Sequence, residues 1–254
     1  YYIYIILRCK ETTLLMDELC RPKEFQLQEH QNFLKRALFS LNKRLLLFHG
    51  LGSGKTCSAL SIINAFLMQK KKKSPAKVLV ITPASIKPNI YKEMMGPCGK
   101  QFDTLRNQSR ISMRAEIDKL IRVISYQEFV NIAKRDGFNF TNTMVIVDEV
   151  QNIISATGST YKRFLYEFVQ NPTNNNADMR LVLLSGTPIF DQPFEIALLG
   201  NLLRKNKDKL KMPDDPKSFN NMYKFNQEDG TITNDIKFAK YFKGKVSYFR
   251  GASP

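Results

Sequence analysis

The sequence predicts an α/β fold in which helices cover both faces of a mostly parallel sheet. Helical and strand patterns alternate along the chain from residue 25, as in parallel sheets with crossover helices. Four strand candidates are near-continuous apolar runs, which is expected where both sheet faces are buried. A glycine-rich turn ending in Gly-Lys-Thr follows the first of these runs and opens a helix.

The individual elements follow from apolar periodicity and length. The runs LLLFH, VLVIT, MVIVD and LVLLS predict strands, and a shorter apolar stretch predicts one more. The predicted strands are residues 44–49, 77–82, 121–124, 143–148 and 179–184. The predicted helices are residues 27–41, 55–69, 85–95, 126–134, 159–170 and 193–204. Polar loops are predicted at residues 70–75, 96–112 and 171–178.

The turn after the first strand, within LLLFHGLGSGKT, indicates a site for a nucleoside triphosphate such as ATP. Its glycines leave the backbone bare, so NH groups can face phosphates, and the next helix adds its positive dipole end. Lys55 would reach the β and γ oxygens, and the Thr56 hydroxyl would bind Mg²⁺. The expected nucleotide contacts are Gly50, Gly52, Ser53, Gly54, Lys55 and Thr56. His49 stands where the strict pattern has its first glycine; the alternative is an ordinary glycine turn.

Asp148 and Glu149 follow an apolar strand some ninety residues beyond Lys55. Such a pair suits phosphoryl transfer, in which Asp148 would hold Mg²⁺ and Glu149 would orient or deprotonate the attacking water. Lys55, Asp148 and Glu149 are therefore the candidate catalytic residues. The alternative is a pair of acidic residues that caps the following helix.

Charge and cysteine content limit the partners and the setting. Lys and Arg total 39 against 23 Asp and Glu, a net charge of +16, which favours a polyanion, nucleic acid first. A basic surface that serves solubility, or one that a missing domain neutralises, is the alternative.

The four cysteines form no C-x-x-C pair, so neither zinc nor a disulfide framework is predicted, and a reducing intracellular setting is expected. The opening YYIYIIL is too short to span a membrane.

The stretch DEVQ at 148–151 resembles the DEAD/DEAH box of superfamily 2 helicases, and other stretches resemble motifs of that family in the same order. The resemblance implies a RecA-like P-loop NTPase fold. FQLQEHQ at 25–31 resembles the adenine-reading Q motif, with Gln31 on the base edge and Phe25 on the ring. An ordinary amphipathic helix start is the alternative for this stretch.

Three further stretches, ITPASIKPN, ISYQEF and LLSGTPI, resemble the motifs that contact nucleic acid and couple it to hydrolysis. Contacts with phosphates position a strand without reading its sequence. Gln151 replaces the usual histidine of the box, at a position that contacts the S-G-T-P motif. The residues implied for nucleic-acid contact and coupling are Thr82, Ser85, Lys87, Ser125, Tyr126, Gln151, Ser185 and Thr187.

Within superfamily 2 the motifs most resemble viral ATPases of the poxvirus type, the early transcription factor small subunit and nucleoside triphosphate phosphohydrolase I. This resemblance implies a DNA-dependent ATPase in viral transcription, in the virion and host cytoplasm, with RNA polymerase or other transcription machinery as a partner. An ATP-dependent switch without motor activity is the alternative, and an unrelated P-loop kinase or transferase is a third.

Three segments are expected along the chain. Residues 1–24 are an N-terminal extension, 25–207 the first RecA-like domain, and 208–254 a basic linker. The sequence after Leu203 is lysine-rich and weakly periodic, which predicts a linker, and the resemblance implies that it leads to a second RecA-like domain. The chain begins without methionine and stops just after a strand-like stretch, so it is expected to be part of a longer protein. This chain alone is therefore expected to hydrolyse ATP feebly.

Overall fold

The structure is a computed structural model, and it describes most of the chain beyond residue 26. The described residues are 27–34, 43–50, 52–70, 77–105, 107–137, 139–154, 160–170, 179–187, 192–204, 211–224, 226 and 231–250. The strands are β1 Arg44–His49, β2 Lys77–Thr82, β3 Ile121–Ser125, β4 Thr143–Val147, β5 Arg180–Ser185 and β6 Val246–Phe249.

In the described part of the chain one helix precedes β1 and the others lie between the strands. They are α1 Glu29–Phe33, α2 Lys55–Lys70, α3 Lys87–Met95, the 3₁₀ segment η1 Pro97–Leu105, α4 Arg110–Leu120, α5 Tyr126–Arg135, α6 Gln151–Ile154, α7 Thr160–Gln170, α8 Glu195–Leu202, α9 Pro216–Tyr223 and α10 Asp235–Phe242. None of the helices in the described part of the chain has the length and apolar character that crossing a bilayer requires.

The six strands form one sheet in the order β3-β2-β4-β5-β1-β6. Every neighbouring pair is parallel, so the carboxyl ends of all six strands lie at one edge. Strands β2, β4, β5 and β1 are almost continuously buried. The predicted α/β fold with a parallel sheet covered on both faces is confirmed.

Alternate residues of each strand enter different cores, because successive side chains of a strand point to opposite faces. Leu45 and Leu47 pack in the core that α2, α3 and α4 cover. Leu46 packs in the core on the other face, beneath α5, α7 and α8. A smaller apolar cluster joins α8 to α9 and α10 around Phe219 and Tyr223. Helices thus cover both faces of the sheet.

The predicted polar loop at 96–112 is wrong for most of its length, because it contains η1 and the start of α4. Helix α4 begins after Ser109, whose hydroxyl accepts a hydrogen bond from the amide of Ser112 at 3.2 Å. Met113 and Ile117, four residues apart, are its only residues described as fully buried. Met113, Ile117 and Leu120 recur at the i, i+4, i+7 spacing of a helix, so the sequence carries a signal for this helix that the loop prediction leaves out.

The predicted basic linker at 208–254 is also corrected, because its described residues fold with the rest of the chain. Helices α9 and α10 pack against α8, and β6 joins the sheet beside β1, with His49 opposite Phe249. The strand-like VSYF therefore completes this sheet. The N-terminal extension predicted at 1–24 lies outside the described residues.

The remaining element boundaries differ from the prediction by a few residues. Of the predicted helix 27–41, the structure describes α1, and residues 35–42 lie outside the description. Helix α3 begins at Lys87 rather than residue 85, with Pro88 in its first turn, where proline is tolerated. Strand β4 ends at Val147, so Asp148 begins a turn. The predicted loop residues 71–75 and 171–178 are not described.

Cys57 in α2 and Cys98 in η1 are joined as a disulfide, with their Cα atoms 5.1 Å apart. The cysteine spacing predicts no disulfide framework, and this single pair among the described residues is the difference. The two cysteines are 41 residues apart in sequence, and only the packing of η1 against α2 brings them together. Cys9 and Cys20 lie outside the described residues.

Candidate nucleotide site

The predicted site residues converge because their strands are parallel neighbours. Strand β4 lies between β2 and β5, and β5 lies beside β1. The turns after β1 and β4 and the end of β5 therefore meet at one edge of the sheet. Ligands of open α/β sheets bind at this carboxyl edge.

The turn after β1 has the backbone of a phosphate cradle. Gly52 and Gly54 have φ angles of 71° and 74°, a left-handed conformation that favours glycine. The amide of Ser58 donates to the carbonyl of Gly54 at 2.9 Å, which starts the hydrogen bonding of α2. The Ser53 side chain is buried, and its hydroxyl has no hydrogen-bond partner within the described residues. An unpaired buried hydroxyl in a glycine turn suits a phosphate ligand.

Lys55 and Glu149 face each other across the site. The Lys55 Nζ atom lies 3.7 Å from the Glu149 Oε1 atom, and the two side chains are 14% and 24% exposed. A Cβ atom added at Gly186 would lie 2.7 Å from that Nζ atom, so the bare backbone after β5 leaves room for the lysine. Glu149 itself has a φ of 51°, which is uncommon for a residue other than glycine and costs about 1 kcal/mol.

Asp148 lies deeper than Glu149. The Thr82 hydroxyl donates to Asp148 Oδ2 at 3.2 Å, and the Glu149 amide donates to Oδ1 at 3.1 Å. Burial, then the neighbouring Glu149 charge, raises the pKa of Asp148 to about 6. Asp148 and Thr56 both border one small cavity of about 20 Å³, whose other lining residues are apolar. The Asp148 carboxylate and the Thr56 hydroxyl are oxygen donors of the kind that Mg²⁺ prefers.

A chain of hydrogen bonds links the end of β5 to Glu149. The Thr187 amide donates to the Ser185 hydroxyl at 3.0 Å, and that hydroxyl donates to Gln151 Oε1 at 2.8 Å. The Gln151 amide nitrogen in turn donates to Glu149 Oε2 at 2.6 Å. Gln151 thus contacts both the carboxylate box and the S-G-T-P stretch, while the Thr187 side chain is exposed.

Helix α1 holds the glycine turn from outside. Gln31 is 3% exposed; its amide nitrogen donates to the Gly54 carbonyl at 3.2 Å, and its Oε1 accepts from the Gln28 amide at 3.0 Å. The expected reading of an adenine edge by Gln31 does not match these contacts, since both ends of its amide already have protein partners. Phe25, predicted to pack on the adenine ring, lies outside the described residues.

His49 turns away from the phosphate side. Its imidazole is fully buried, 3.0 Å from the Ser247 hydroxyl and 3.4 Å from the Ser58 hydroxyl. Burial, followed by the nearby His30 and Lys55, lowers the pKa of His49 to about 4. The backbone at His49 has no positive φ, so this position does not need a glycine. The departure from the strict motif therefore leaves the turn intact.

Two of the residues predicted to contact nucleic acid are accessible. Ser85 is exposed, and Lys87 pairs with Glu128 at 3.0 Å. The prediction is corrected for Thr82, whose buried hydroxyl bonds Asp148. It is corrected for Ser125 as well, because its largely buried hydroxyl caps α5 by accepting from the Glu128 amide at 3.1 Å.

Tyr126 is also corrected as a nucleic-acid contact. Its side chain is 6% exposed, and its hydroxyl donates to the main-chain carbonyls of Asp148 and Glu149. Sequence order places this tyrosine at the end of β3 but does not show the direction of its side chain, which points under the carboxylate turn.

Three residues of the site escape the sequence analysis. His30 lies 3.2 Å from the Ser53 carbonyl, and its ring stacks on Phe249 with centroids 3.8 Å apart. The Phe249 carbonyl accepts a hydrogen bond from the Gly50 amide at 2.9 Å, and Ser247 contacts His49. For Ser247 and Phe249 the only sequence signal is the β-like stretch VSYF, which does not reveal its partner strand, and His30 lies in FQLQEHQ, where the prediction concerns only Gln31 and Phe25.

Comparison with known proteins places the chain among helicases. The family model described as "Type III restriction enzyme, res subunit" matches residues 20–190. The chain is 35% identical to the "Putative ATP-dependent RNA helicase R563" of Acanthamoeba polyphaga mimivirus, over 93% of the chain and 43% of that protein. It is 24% identical to the "Termination factor NPH-I homolog" of African swine fever virus, over 80% of the chain and 28% of that protein. The chain thus spans less than half the length of these relatives.

Solved structures share the fold at low sequence identity. The Sulfolobus solfataricus SWI2/SNF2 ATPase core in complex with dsDNA aligns with a TM-score of 0.58 and 16% identity, covering 89% of this chain and 45% of that one. The DEAD-box helicase Mss116 bound to ssRNA aligns with a TM-score of 0.51 and 14% identity, covering 77% of this chain and 45% of that one. These likenesses identify the fold as that of a helicase core.

Proposed function

The chain belongs to the type III restriction enzyme res subunit family, among the superfamily 2 helicases related to those of large DNA viruses, and from this premise we propose that it is the first nucleotide-binding lobe of a nucleic-acid-dependent ATPase. The observation that carries the proposal is the 3.7 Å approach of Lys55 to Glu149. A lysine that could bind phosphate and a carboxylate that could activate water are thus paired directly at the end of the glycine turn, and bound phosphate would compete with Glu149 for Lys55.

In this proposal each side chain has a separate task in phosphoryl transfer, which depends mostly on positioning and charge. Lys55 and the NH groups from Gly52 to Thr56 bind the phosphates. Glu149 orients or deprotonates the attacking water. Lys55 and Gln151 hold the two carboxylate oxygens of Glu149. Thr56 and Asp148 would hold Mg²⁺, which neutralises phosphate charge when bound.

We further propose nucleic acid as the activator, contacted at Ser85 and Lys87 beyond β2. The net charge of +16 supports a polyanionic partner. We propose DNA rather than RNA, and a role in viral transcription with RNA polymerase as a partner, from the motif resemblance. The first of the viral relatives named above is described as an RNA helicase, so the experiment must compare both nucleic acids.

A second RecA-like lobe is proposed for the longer natural protein. The chain matches 43% and 29% of the lengths of two mimivirus relatives, which leaves ample length for such a lobe. In related phosphoryl-transfer systems an arginine supplied from a second element accelerates the reaction by about 10³- to 10⁵-fold.

The test is the ATPase rate of the full-length natural protein without nucleic acid and with single-stranded DNA, duplex DNA or RNA. We expect one of these to raise the rate, and Lys55→Ala and Glu149→Gln each to abolish the stimulated rate. Arg163→Ala, on the exposed face of α7, is the control that keeps it. A protein that binds ATP but is stimulated by no nucleic acid would instead be an ATP-dependent switch.

A further inference from the structure

Tyr126 lies beneath the carboxylate turn and has no role in the function proposed above. It is the first residue of α5 and follows β3 directly. Its hydroxyl donates to the main-chain carbonyl of Asp148 and lies 3.0 Å from the carbonyl of Glu149. One phenol therefore contacts both peptide carbonyls of the turn that presents the two carboxylates.

The amides of this turn are held from other directions. The Asp148 amide donates to the Ile81 carbonyl of β2 at 2.9 Å, and the Val150 amide donates to the Leu184 carbonyl of β5 at 3.0 Å. The hydroxyl of Tyr126 is thus a third anchor, which comes from α5. It holds the carbonyl side of a turn whose central residue has a φ of 51°, a conformation that persists only where its surroundings fix it.

The anchor itself is rigid. Ser125 and Glu128 form a capping box at the start of α5, with the Glu128 carboxylate accepting from the Ser125 amide at 2.6 Å. Phe129 in the next turn is fully buried in the core. Helix α5 therefore cannot shift without breaking its cap or leaving the core. The Tyr126 hydroxyl is thus held in a fixed position below the carboxylate turn.

We propose that Tyr126 is a positioning residue for ATP hydrolysis, which fixes the peptide planes of Asp148 and Glu149 so that Glu149 meets the attacking water. This inference rests on the proposed function of the site. Small displacements of a catalytic group, on the order of 1 Å, cost up to about 10²-fold in rate. Loss of the hydroxyl should therefore act on turnover rather than on binding.

The rival role is a contact with nucleic acid, as the resemblance of ISYQEF suggests. The 6% exposure of Tyr126 disfavours it, since the neighbouring Gln127 and Glu128 are the exposed side chains of that turn. The two roles predict different measurements. A nucleic-acid contact would change the affinity for nucleic acid, whereas a positioning residue would change kcat.

The test is Tyr126→Phe in the full-length natural protein, with Tyr166→Phe as a matched control. Tyr166 is likewise a tyrosine whose hydroxyl donates to a main-chain carbonyl, that of Leu198 at 3.2 Å, but it lies on α7. We expect Tyr126→Phe to lower kcat about ten-fold, with the KM for ATP and the Kd for nucleic acid within two-fold of wild type. Tyr166→Phe should leave all three unchanged.

Amide exchange of residues 148–151 gives a second readout that does not require turnover. We expect faster exchange in Tyr126→Phe than in wild type or Tyr166→Phe. An unchanged kcat, a weakened Kd for nucleic acid, or an equal loss of kcat in both variants would overturn the proposal. A wild-type protein that does not hydrolyse ATP overturns the proposed function instead. In that case, unchanged amide exchange in Tyr126→Phe would also show that Tyr126 does not hold the carboxylate turn.

Discussion

His49 shows how a motif can lose a residue and keep its geometry. Its side chain is buried between two serine hydroxyls, one on α2 and one on β6, so it ties the end of β1 to both neighbours. An uncharged imidazole suits this place, because no carboxylate contacts it among the described residues and Lys55 lies nearby. The position of the first glycine of the motif is thus occupied by a side chain that joins β1 to α2 and β6.

Acid should therefore destabilise the fold through His49. Above about pH 6.5 the imidazole is neutral in both states. Between pH 6.5 and about 4 the unfolded chain takes up a proton that the folded chain does not, so the free energy of unfolding falls as pH falls, by up to about 1.4 kcal/mol per unit. Urea unfolding at several pH values should show a shallower fall for His49→Gln. Equal slopes for the two proteins would contradict the prediction.

The contacts of Gln31 predict how its substitution affects selectivity between ATP and GTP. Because its amide bonds the Gly54 carbonyl, Gln31→Ala should loosen the phosphate turn for every nucleotide alike. We expect kcat/KM for ATP and for GTP to fall by the same factor, about five- to ten-fold. Asn32→Ala is the control, since that amide bonds Leu27 at 3.0 Å. A loss for ATP alone would show that Gln31 reads adenine.

The hydrogen bonds that join β5 to Glu149 pass through Gln151, so its substitution tests whether they matter to hydrolysis. Gln151→Glu keeps the shape of the side chain but cannot donate to Glu149, and it would place two carboxylates at the distance of the present 2.6 Å contact. We expect the stimulated kcat to fall at least about ten-fold. Gln127→Glu adds the same charge on the exposed side of α5 and should have little effect. Similar rates for the two variants would mean that the link does not matter to hydrolysis.

At the scale of elements, β6 and α1 support the glycine turn together. Strand β6 lies beside β1, and the Phe249 ring stacks on His30 at 3.8 Å. His30 in turn contacts the Ser53 carbonyl. The turn is thus held by the beginning of the described chain and by its end.

Removal of the Phe249 ring should weaken nucleotide binding, because His30 then loses the surface that fixes its ring. We expect Phe249→Ala to raise the Kd for ATP about five-fold, at the scale of one aromatic contact. Tyr248→Ala removes the adjacent, 62% exposed ring and serves as the control. Isothermal titration of both variants gives the comparison, and equal affinities would show that the stack is not needed.

The buried strands could be predicted from the sequence, whereas their partners could not. LLLFH, VLVIT, MVIVD and LVLLS are apolar because helices cover both faces, and that pattern is visible in the chain. The pairing of β6 with β1 depends on a parallel crossover of about 200 residues, which leaves no local pattern. The predicted loop at 96–112 overlaps only the first turn of α4, whose buried residues Met113 and Ile117 follow that loop.

The candidate site divides in the same way. Lys55 and Glu149 stand in motifs whose residue types the chemistry requires, so their approach could be predicted. The motif resemblance predicts nucleic-acid contacts for Thr82 and Tyr126, because the order of motifs does not show which way a side chain points. Both point into the protein at the carboxylate turn.

For the whole molecule, the described sheet supplies one side of the proposed nucleotide site. We therefore expect the 254-residue chain alone to hydrolyse ATP more slowly than the full-length protein by about 10³-fold or more. Steady-state rates of the two forms at saturating nucleic acid give the comparison. Comparable rates would show that no second lobe contributes to the reaction.

The position of β6 also sets an order of events during synthesis. Chains leave the ribosome from the amino end at roughly 5–20 residues per second, so β1 and the glycine turn emerge long before residues 246–249, their neighbours in the sheet. A nascent chain that has reached β5 has every phosphate-binding residue but lacks the strand that borders the turn. The chain should therefore bind nucleotide only after β6 has been synthesised, although the glycine turn is among the first parts to be translated.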